Sequence, residues 1–266
     1  MTDVAVIILV GQEALHIGRC LERLRSLDPR QVFVVESQPS DGTHEIAVEM
    51  GASAVFNKWP GNQARQFNWA LDNLPIKAQW AMRLDADEYL SEGLVDEIKV
   101  FVANPQADIS LVEFPLGRMW RGKRIRFGMP TVCVPRLFRF GQCRYGDMEM
   151  DERLIADSGR TIRFRNVFID DNLNGLDWWK SKHRNYAERE ARQSLLGGVY
   201  GKKSLYYRLP PYVRAVAYWV IRYFFFLGLL DGRAGWNWNF WQGLWYRWLV
   251  DSMICKMKKE KRSDGE

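Results

Sequence analysis

Apolar and polar residues change rhythm several times along this chain, and each change predicts an element. Val4 to Val10 is a continuous apolar run, the pattern of a strand covered on both faces. Behind it Ile17, Cys20, Leu21, Leu24 and Leu27 recur at helical spacing, which predicts a helix after a short loop. The theme then repeats. QVFVVES (Gln31 to Ser37) predicts a second strand, SDGTHEIAVEMG a turn entering a helix that stops at Gly51, and ASAVFN a third strand. A helix from Asn62 to Leu74 and a fourth strand at QWAMRL follow.

Strands alternating with helices through short connections predict an α/β fold with a parallel sheet, in which ligands bind beyond the carboxyl ends of the strands. Glu36, Asp41 and the acids Asp85, Asp87 and Glu88 all fall at such ends. After Ile98 the pattern weakens into strand-like pieces rich in Arg, Gly and aromatics, VEFPLGRMWRGKRIRFGMP and CVPRLFRFGQCRYG, expected to form a mixed sheet that shapes a pocket. From Leu176 to Leu196 a helix is expected, with Trp179, His183, Tyr186, Ala187, Glu190, Ala191 and Ser194 on one face.

Composition narrows this further. With 266 residues, 47% of them hydrophobic, the chain can bury a sizeable core in one or two domains. Four cysteines without a CxxC pair or zinc spacing suit a reducing compartment. The N-terminal apolar run follows Asp3 and lacks a basic flank, so a buried strand is expected there and not a signal peptide. The net charge of +6 resides at the end: Lys202 to Glu266 holds 12 Lys and Arg against 5 Asp and Glu, with six of the twelve tryptophans. No GxxxxGK[ST] or GxGxxG occurs, and no DNA- or RNA-reading motif accompanies the charge, so nucleic acid is not an expected partner.

The stretch RLDADE carries the candidate chemistry. Adjacent carboxylates raise one another's pKa unless a cation joins them, and Mg²⁺ or Mn²⁺ favours one or two carboxylates completed by phosphate oxygens. In an extended segment Asp85 and Asp87 would share one side with Ala86 turned away. A lone DxD suits a solvated loop before a helix equally well. Its place behind a buried strand, among other acids at strand ends, favours a metal shared with a diphosphate. An EF-hand is excluded because the third acid and the glycine of that loop are missing.

In order, EALHIGRCLERL, VVESQPSDGTHEIA, WPGNQARQFNWAL, RLDADE, RGKRIRFG, PRLFRFGQCRY, MDERLIADSG, KHRNYAEREA and GLLDGRAG resemble the family 2 inverting glycosyltransferases of GT-A fold, especially the branch acting on lipopolysaccharide core and surface glycans. The resemblance implies a GT-A catalytic domain over residues 1–200, with a nucleotide-binding half at 1–98 and an acceptor-side half at 99–200. It implies that Gln12, Glu13, Glu36 and Asp41 hold the base and ribose of a nucleotide sugar, UDP being the default carrier. Glu36 departs from the family's usual aspartate. Asp87 would ligate Mn²⁺ or Mg²⁺, Asp85 would support metal and ribose, and Gln66 and Asn68 would lend support from the preceding helix. Glu152 is the implied catalytic base, with Asp151 beside it as the other candidate; a plain ion pair next to Arg153 is the alternative. Arg136 and Arg139 could meet the leaving diphosphate or an acceptor phosphate, or simply cover the sheet.

The tail, 201–266, invites a membrane reading of its own. Ala215, Val216, Trp219, Tyr223, Phe226, Leu227 and Leu230 follow helical spacing, but Arg214 and Arg222 interrupt the run. An arginine near the centre of a spanning helix costs at least about 2.5 kcal/mol, so an amphipathic, interfacial helix is expected. Trp238, Trp241, Trp245 and Trp248 form a second face that could meet anionic lipid or pack on the protein, and a hairpin dipping in around LLDGRAG is a third arrangement. The combined expectation is a metal-dependent enzyme moving a hexose to a lipid-linked glycan at the cytoplasmic face of the inner (plasma) membrane, peripheral or monotopic. A nucleotidyltransferase and a catalytically silent membrane scaffold are the rivals.

Overall fold

The N-terminal apolar run is β1 (Thr2–Val10), a central strand in a computed structural model that describes residues 1–38, 41–146, 153–196 and 206–263. Period-two alternation divides its side chains between two cores. Val4, Val6, Ile8 and Val10 face one layer, with Ile17, Cys20, Leu21 and Leu24 of α1 (Ala14–Leu24) and Leu94, Val95 and Ile98 of α4 (Glu92–Ala103). Ala5 and Ile7 face the other, with Ala64, Phe67, Ala70 and Leu71 of α3 (Gln63–Asn73). Burying both faces explains why β1 reads as an unbroken apolar run.

Beside β1 lie β2 (Pro29–Glu36), then β3 (Ser53–Phe56) on one side and β4 (Trp80–Asp85) on the other, all parallel. α2 (Thr43–Glu49) connects β2 to β3. The sheet then turns mixed, as expected. β8 (Cys133–Arg139) runs antiparallel to β4, followed by β6 (Ile109–Trp120), β12 (Phe168–Asp170) and β5 (Glu88–Leu90). β11 (Arg160–Arg163) joins β6, and β9 (Cys143–Tyr145) pairs with β10 (Leu154–Ala156). Asn62 caps α3 by accepting the Arg65 amide at 2.7 Å, and Ser91 caps α4 through the Leu94 amide at 3.3 Å.

The chain packs as two units, Met1–Met119 with Thr131–Leu173, and Trp120–Pro130 with Asn174–Glu266. The second unit thus takes in residues 174–200 along with the tail. The reason is packing: Ala187 and Ala191 of α5 (Leu176–Leu195) bury against Tyr246, Val250 and Ile254 of α8 (Tyr246–Ser263). This second unit also holds β7 (Lys123–Ile125), α6 (Val213–Val220) and α7 (Gly232–Trp238), with π-helical turns at Ile221–Phe225 and Asn239–Trp245.

Of the tryptophan stripe of the tail, Trp238 is buried, Trp241 and Trp245 are half-buried, and Trp248 is exposed. Trp238 packs edge-on against Trp120 at 5.1 Å, Trp245 joins the α5–α8 core, Trp241 lies against Trp245, and Trp248 covers Tyr212. The two arginines that interrupt the apolar run are buried too. Arg214 pairs with the fully buried Asp251, and Arg222 Nε donates to the Gly128 carbonyl at 2.7 Å. Of the expected face of α5, Ala187 and Ala191 are the buried members, while Tyr186 is exposed.

Candidate active site

Three strand ends meet at one edge of the first unit. β1 ends at Val10, which pairs with Glu36 at the end of β2, and Leu9 pairs with Asp85 at the end of β4. The strand order reverses at β1, with β2 on one side and β4 on the other, and open α/β sheets leave their ligand crevice at such a point.

Glu36 is 1% exposed; its Oε2 lies 3.3 Å from His44 Nδ1. Among the described residues its Oε1 is buried with no hydrogen-bond partner. A carboxylate oxygen left that way costs stability, so the position suits a donor from a ligand. Asp41 is different. Its Oδ1 accepts the Thr43 hydroxyl at 2.5 Å and amide at 3.2 Å, and its Oδ2 the Ala14 amide at 3.1 Å. Against the push of burial these donors hold its carboxyl below the usual range. Asp41 therefore ties the loop after β2 to the first turn of α1, and Thr43 Oγ1 accepts the Glu13 amide at 3.0 Å. Gln12, exposed, stands in the same loop after Gly11.

The acidic knot departs from the extended geometry expected of it. β4 ends at Asp85, Ala86 and Asp87 form a turn, and β5 begins at Glu88, so strand alternation does not relate the two aspartates. Two arginines neutralise Asp85: Arg83 Nε lies at 3.3 Å from Oδ1 and an Arg136 terminal nitrogen at 3.5 Å from Oδ2. Burial alone would raise the Asp85 carboxyl, but Arg83 and Arg136 bring it below the usual range. Glu88 completes the cluster from beneath, accepting Arg136 at 2.5 Å and the Asp85 amide at 3.0 Å. Burial pushes the Glu88 carboxyl up to about 8 against the pull of Arg136, with Asp85 adding to the push.

Asp87 has another kind of neighbour. Its Oδ2 accepts the neutral amide of Asn172 at 2.9 Å, and its carbonyl accepts the Asp171 amide at 2.9 Å. That segment is clamped to α1. Arg19 binds the Asp171 carboxylate at 2.6 Å, and His16 Nε2 accepts the Leu173 amide at 3.0 Å. Because Nε2 accepts, Nδ1 carries the proton and donates to Glu13 Oε2 at 2.7 Å. Glu88 belongs to the acidic knot read from the sequence, without a role of its own there, whereas His16, Arg19, Arg83 and Asn172 were not among the expected site residues. Arg83 alone had a readable signal, two positions before Asp85 on one strand face.

The remaining expectations sort by geometry. Arg136 sits in the cluster, and among the described residues its buried Nε has no hydrogen-bond partner. Arg139 does not belong there. It pairs with Trp80 at the start of β4, the end opposite Asp85, and donates to the Ile109 and Gln106 carbonyls at 2.8 and 2.9 Å. Gln66 exchanges hydrogen bonds with Asn57 at 2.8 and 3.2 Å, and Asn68 with the Tyr145 backbone at 2.8 and 3.0 Å. Both amides hold neighbouring backbone in place. Asp151 and Glu152 lie outside the described residues.

The donor set fits a divalent ion of limited protein ligation. Among the described residues no three His, Cys, Asp or Glu side chains form a metal cage. Asp87 supplies a hard oxygen that no guanidinium claims among the contacts above, whereas both oxygens of Asp85 face arginines. One carboxylate, with the rest of the shell from phosphate and water, is the arrangement Mg²⁺ accepts with a diphosphate.

The model of the family described as Glycosyl transferase family 2 matches residues 5–170. Over 108 residues the chain is 32% identical to an uncharacterized glycosyltransferase of Rickettsia felis, covering 41% of this chain and 37% of that one. Over 140 residues it is 28% identical to one of Rickettsia prowazekii, covering 52% and 47%. The match therefore spans less than half the length of these relatives. A mannosyltransferase from Pyrobaculum calidifontis, solved in complex with GDP-Man and Mn2+, superposes with a TM-score of 0.51 at 14% identity, over 96% of this chain and 87% of that one. The likeness is one of fold.

Proposed function

The chain belongs to glycosyl transferase family 2, and on that premise we propose that it moves a hexose from a nucleotide sugar, with inversion, to a lipid-linked glycan at a membrane surface. The observation that carries this is the register that brings Val10, Glu36 and Asp85 to one sheet edge, with an unpartnered buried Glu36 oxygen there and Asp87 in the turn beyond.

Each residue then has a task. Glu36 Oε1 accepts a ribose hydroxyl, a charge-assisted bond that satisfies its orphan lone pairs. The loop at Gln12 and Glu13, fixed by Asp41, Thr43 and His16, borders the base. Asp85, locked between Arg83 and Arg136, fixes the end of β4, and the arginines offset the charge that a diphosphate would otherwise meet. A Mn²⁺ or Mg²⁺ ion held by Asp87 would take up charge developing on the leaving diphosphate. Asn172 holds Asp87 in place for that purpose. Glu152 is the proposed base, drawing the proton from the acceptor hydroxyl on the face opposite the leaving group, with Asp151 as the alternative. The GDP-Man and Mn2+ complex of the Pyrobaculum enzyme supports the pairing of a nucleotide sugar with a divalent ion and makes GDP a rival to UDP as carrier. We place this setting at the cytoplasmic face of the inner membrane; four cysteines without a CxxC pair suit the reducing compartment this implies.

The test is a transfer assay with UDP-, GDP- and dTDP-hexoses and a glycolipid acceptor, reading nucleotide release and the anomeric configuration of the product by NMR. Inverted product, lost in Glu152→Gln, is the expected result. Release of pyrophosphate with formation of a nucleotide sugar would identify a nucleotidyltransferase instead, and loss in Asp151→Asn alone would move the base by one residue.

A further inference from the structure

In the second unit, an apolar turn stands out because almost nothing covers it. From Phe224 to Leu230 every side chain is apolar and exposed except Gly228, and Phe225 is 77% exposed. Large contiguous apolar surface on a folded protein marks an interaction site. The turn is also built rigidly. A Cβ on Gly235 would lie 2.1 Å from the Gly228 carbonyl, and one on Gly228 would lie 2.5 Å from Asn239 Nδ2, so the two arms close against each other through glycine. The Gly128 amide donates to the Phe226 carbonyl at 2.8 Å, and Asp231 Oδ2 accepts the Arg126 and Phe127 amides at 2.9 Å each. Leu227 adopts φ +58°, a left-handed conformation where glycine would be strain-free.

The segment that pins the turn is cationic. Arg121, Lys123, Arg124 and Arg126 are exposed around β7, and Arg233 is exposed just beyond Asp231. These cations decide the occupant. A second copy docking through the same patch would set like charges against each other across the symmetry axis. An anionic bilayer takes both features at once, apolar side chains below the headgroups and cations against the phosphates. Among the described residues no single helix is long and apolar enough to cross a membrane; the pair Val213–Phe225 and Gly228–Glu260 meets that measure only together and is bent by 71° at this turn, the form of a broken or re-entrant segment.

We propose that the turn Phe224–Leu230 is a monotopic membrane tip, inserted to the depth of the headgroup and upper acyl region of an anionic leaflet and collared by Arg121, Lys123, Arg124, Arg126 and Arg233. This assigns the membrane contact to the turn, whose side chains are all exposed apart from Gly228, and not to the tryptophan stripe, of which Trp248 alone is exposed. It deepens the proposed membrane setting of the enzyme but is independent of the transfer chemistry.

The experiment is co-sedimentation of the full chain, without donor or metal, with vesicles of phosphatidylcholine alone or with about a third phosphatidylglycerol. Wild type is expected to bind the anionic vesicles at least about tenfold more tightly than the neutral ones. Phe225→Asp with Leu230→Asp should lose binding to both at an unchanged unfolding midpoint, and Arg124→Glu with Arg126→Glu should lose the anionic preference. Wild type remaining in the supernatant with both vesicles, or a tip variant that binds like wild type, overturns the proposal. So does a tip variant that converts a dimer to a monomer in light scattering, which assigns the patch to a second copy. Failure of the transfer assay leaves vesicle binding unaffected, and the reverse holds, so the two readings fail separately.

Discussion

Replacing Glu36 by glutamine should make the free protein more stable and the enzyme worse. The side chain is 1% exposed and its Oε1 has no hydrogen-bond partner among the described residues, so the fold carries a desolvated carboxylate oxygen. An unsatisfied buried polar group costs about 1–3 kcal/mol, more when charged. Glutamine keeps the shape and removes the charge, which should recover about 1–2 kcal/mol, or a rise of about 2–6 °C in Tm for a chain of this size. The same change weakens the bond to a ribose hydroxyl. A hydrogen bond to a charged group contributes about 1.5–3 kcal/mol and a neutral one about 0.5–1.5, so the loss of about 1–1.5 kcal/mol should raise the nucleotide Kd about 5- to 15-fold. Differential scanning calorimetry without ligand and titration calorimetry with nucleoside diphosphate measure the two effects on one sample. A less stable variant would show that the oxygen is satisfied within the fold. Unchanged affinity would remove Glu36 from the nucleotide site.

Other consequences follow from particular contacts. Asp251→Asn leaves Arg214 buried without its counter-charge and should destabilise the second unit by about 3–5 kcal/mol in denaturant unfolding; a loss below about 1 kcal/mol would mean that water reaches the pair. His16→Ala removes the acceptor for the Leu173 amide, and amide exchange at Leu173 should accelerate while exchange in β1 stays slow; unchanged protection would discount the clamp. His183 stacks on Trp179 at 3.6 Å, and burial lowers its pKa despite the hydrogen bond to the Trp179 carbonyl. The unfolded chain then binds a proton more readily than the folded one, so stability should fall as pH drops below the ordinary histidine value of about 6.5. His183→Gln should flatten that part of the profile between pH 7.5 and 5, and an identical slope in the variant would contradict the assignment.

Much of the first unit was legible because its physics is local. The doubly buried β1 and the amphipathic α1 and α3 announce themselves by periodicity, and the observed ends of β1 to β4 lie within two residues of the expected ones. What was not legible depends on direction or on distance along the chain. Arg136 and Arg139 are both expected to meet a phosphate or to cover the sheet, yet β8 runs antiparallel to β4, so three residues carry Arg139 to the far end. The Ala86–Asp87 turn was hidden because alternation in DADE looks the same in a strand. Asn172 meets Asp87 across 85 positions, a contact that no local pattern encodes. In the tail, an aromatic face has the same spacing whether lipid or protein covers it, and here Trp120, Ile125 and Trp179 pack against its inner members while Trp248 stays exposed. The exposed turn at Phe224–Leu230 was visible only as the hairpin around LLDGRAG, one arrangement among three.

The central claim is that Asp87 shares a divalent ion with the diphosphate of a nucleotide sugar at this sheet edge. It is tested most directly by titration calorimetry of UDP, GDP, dTDP and CMP, each with and without Mn²⁺, into wild type and Asp87→Ala. The account predicts that one nucleoside diphosphate binds wild type in a manganese-dependent manner and that folded Asp87→Ala loses at least about tenfold of that affinity. Equal binding by both proteins, or no manganese dependence in wild type, would contradict it.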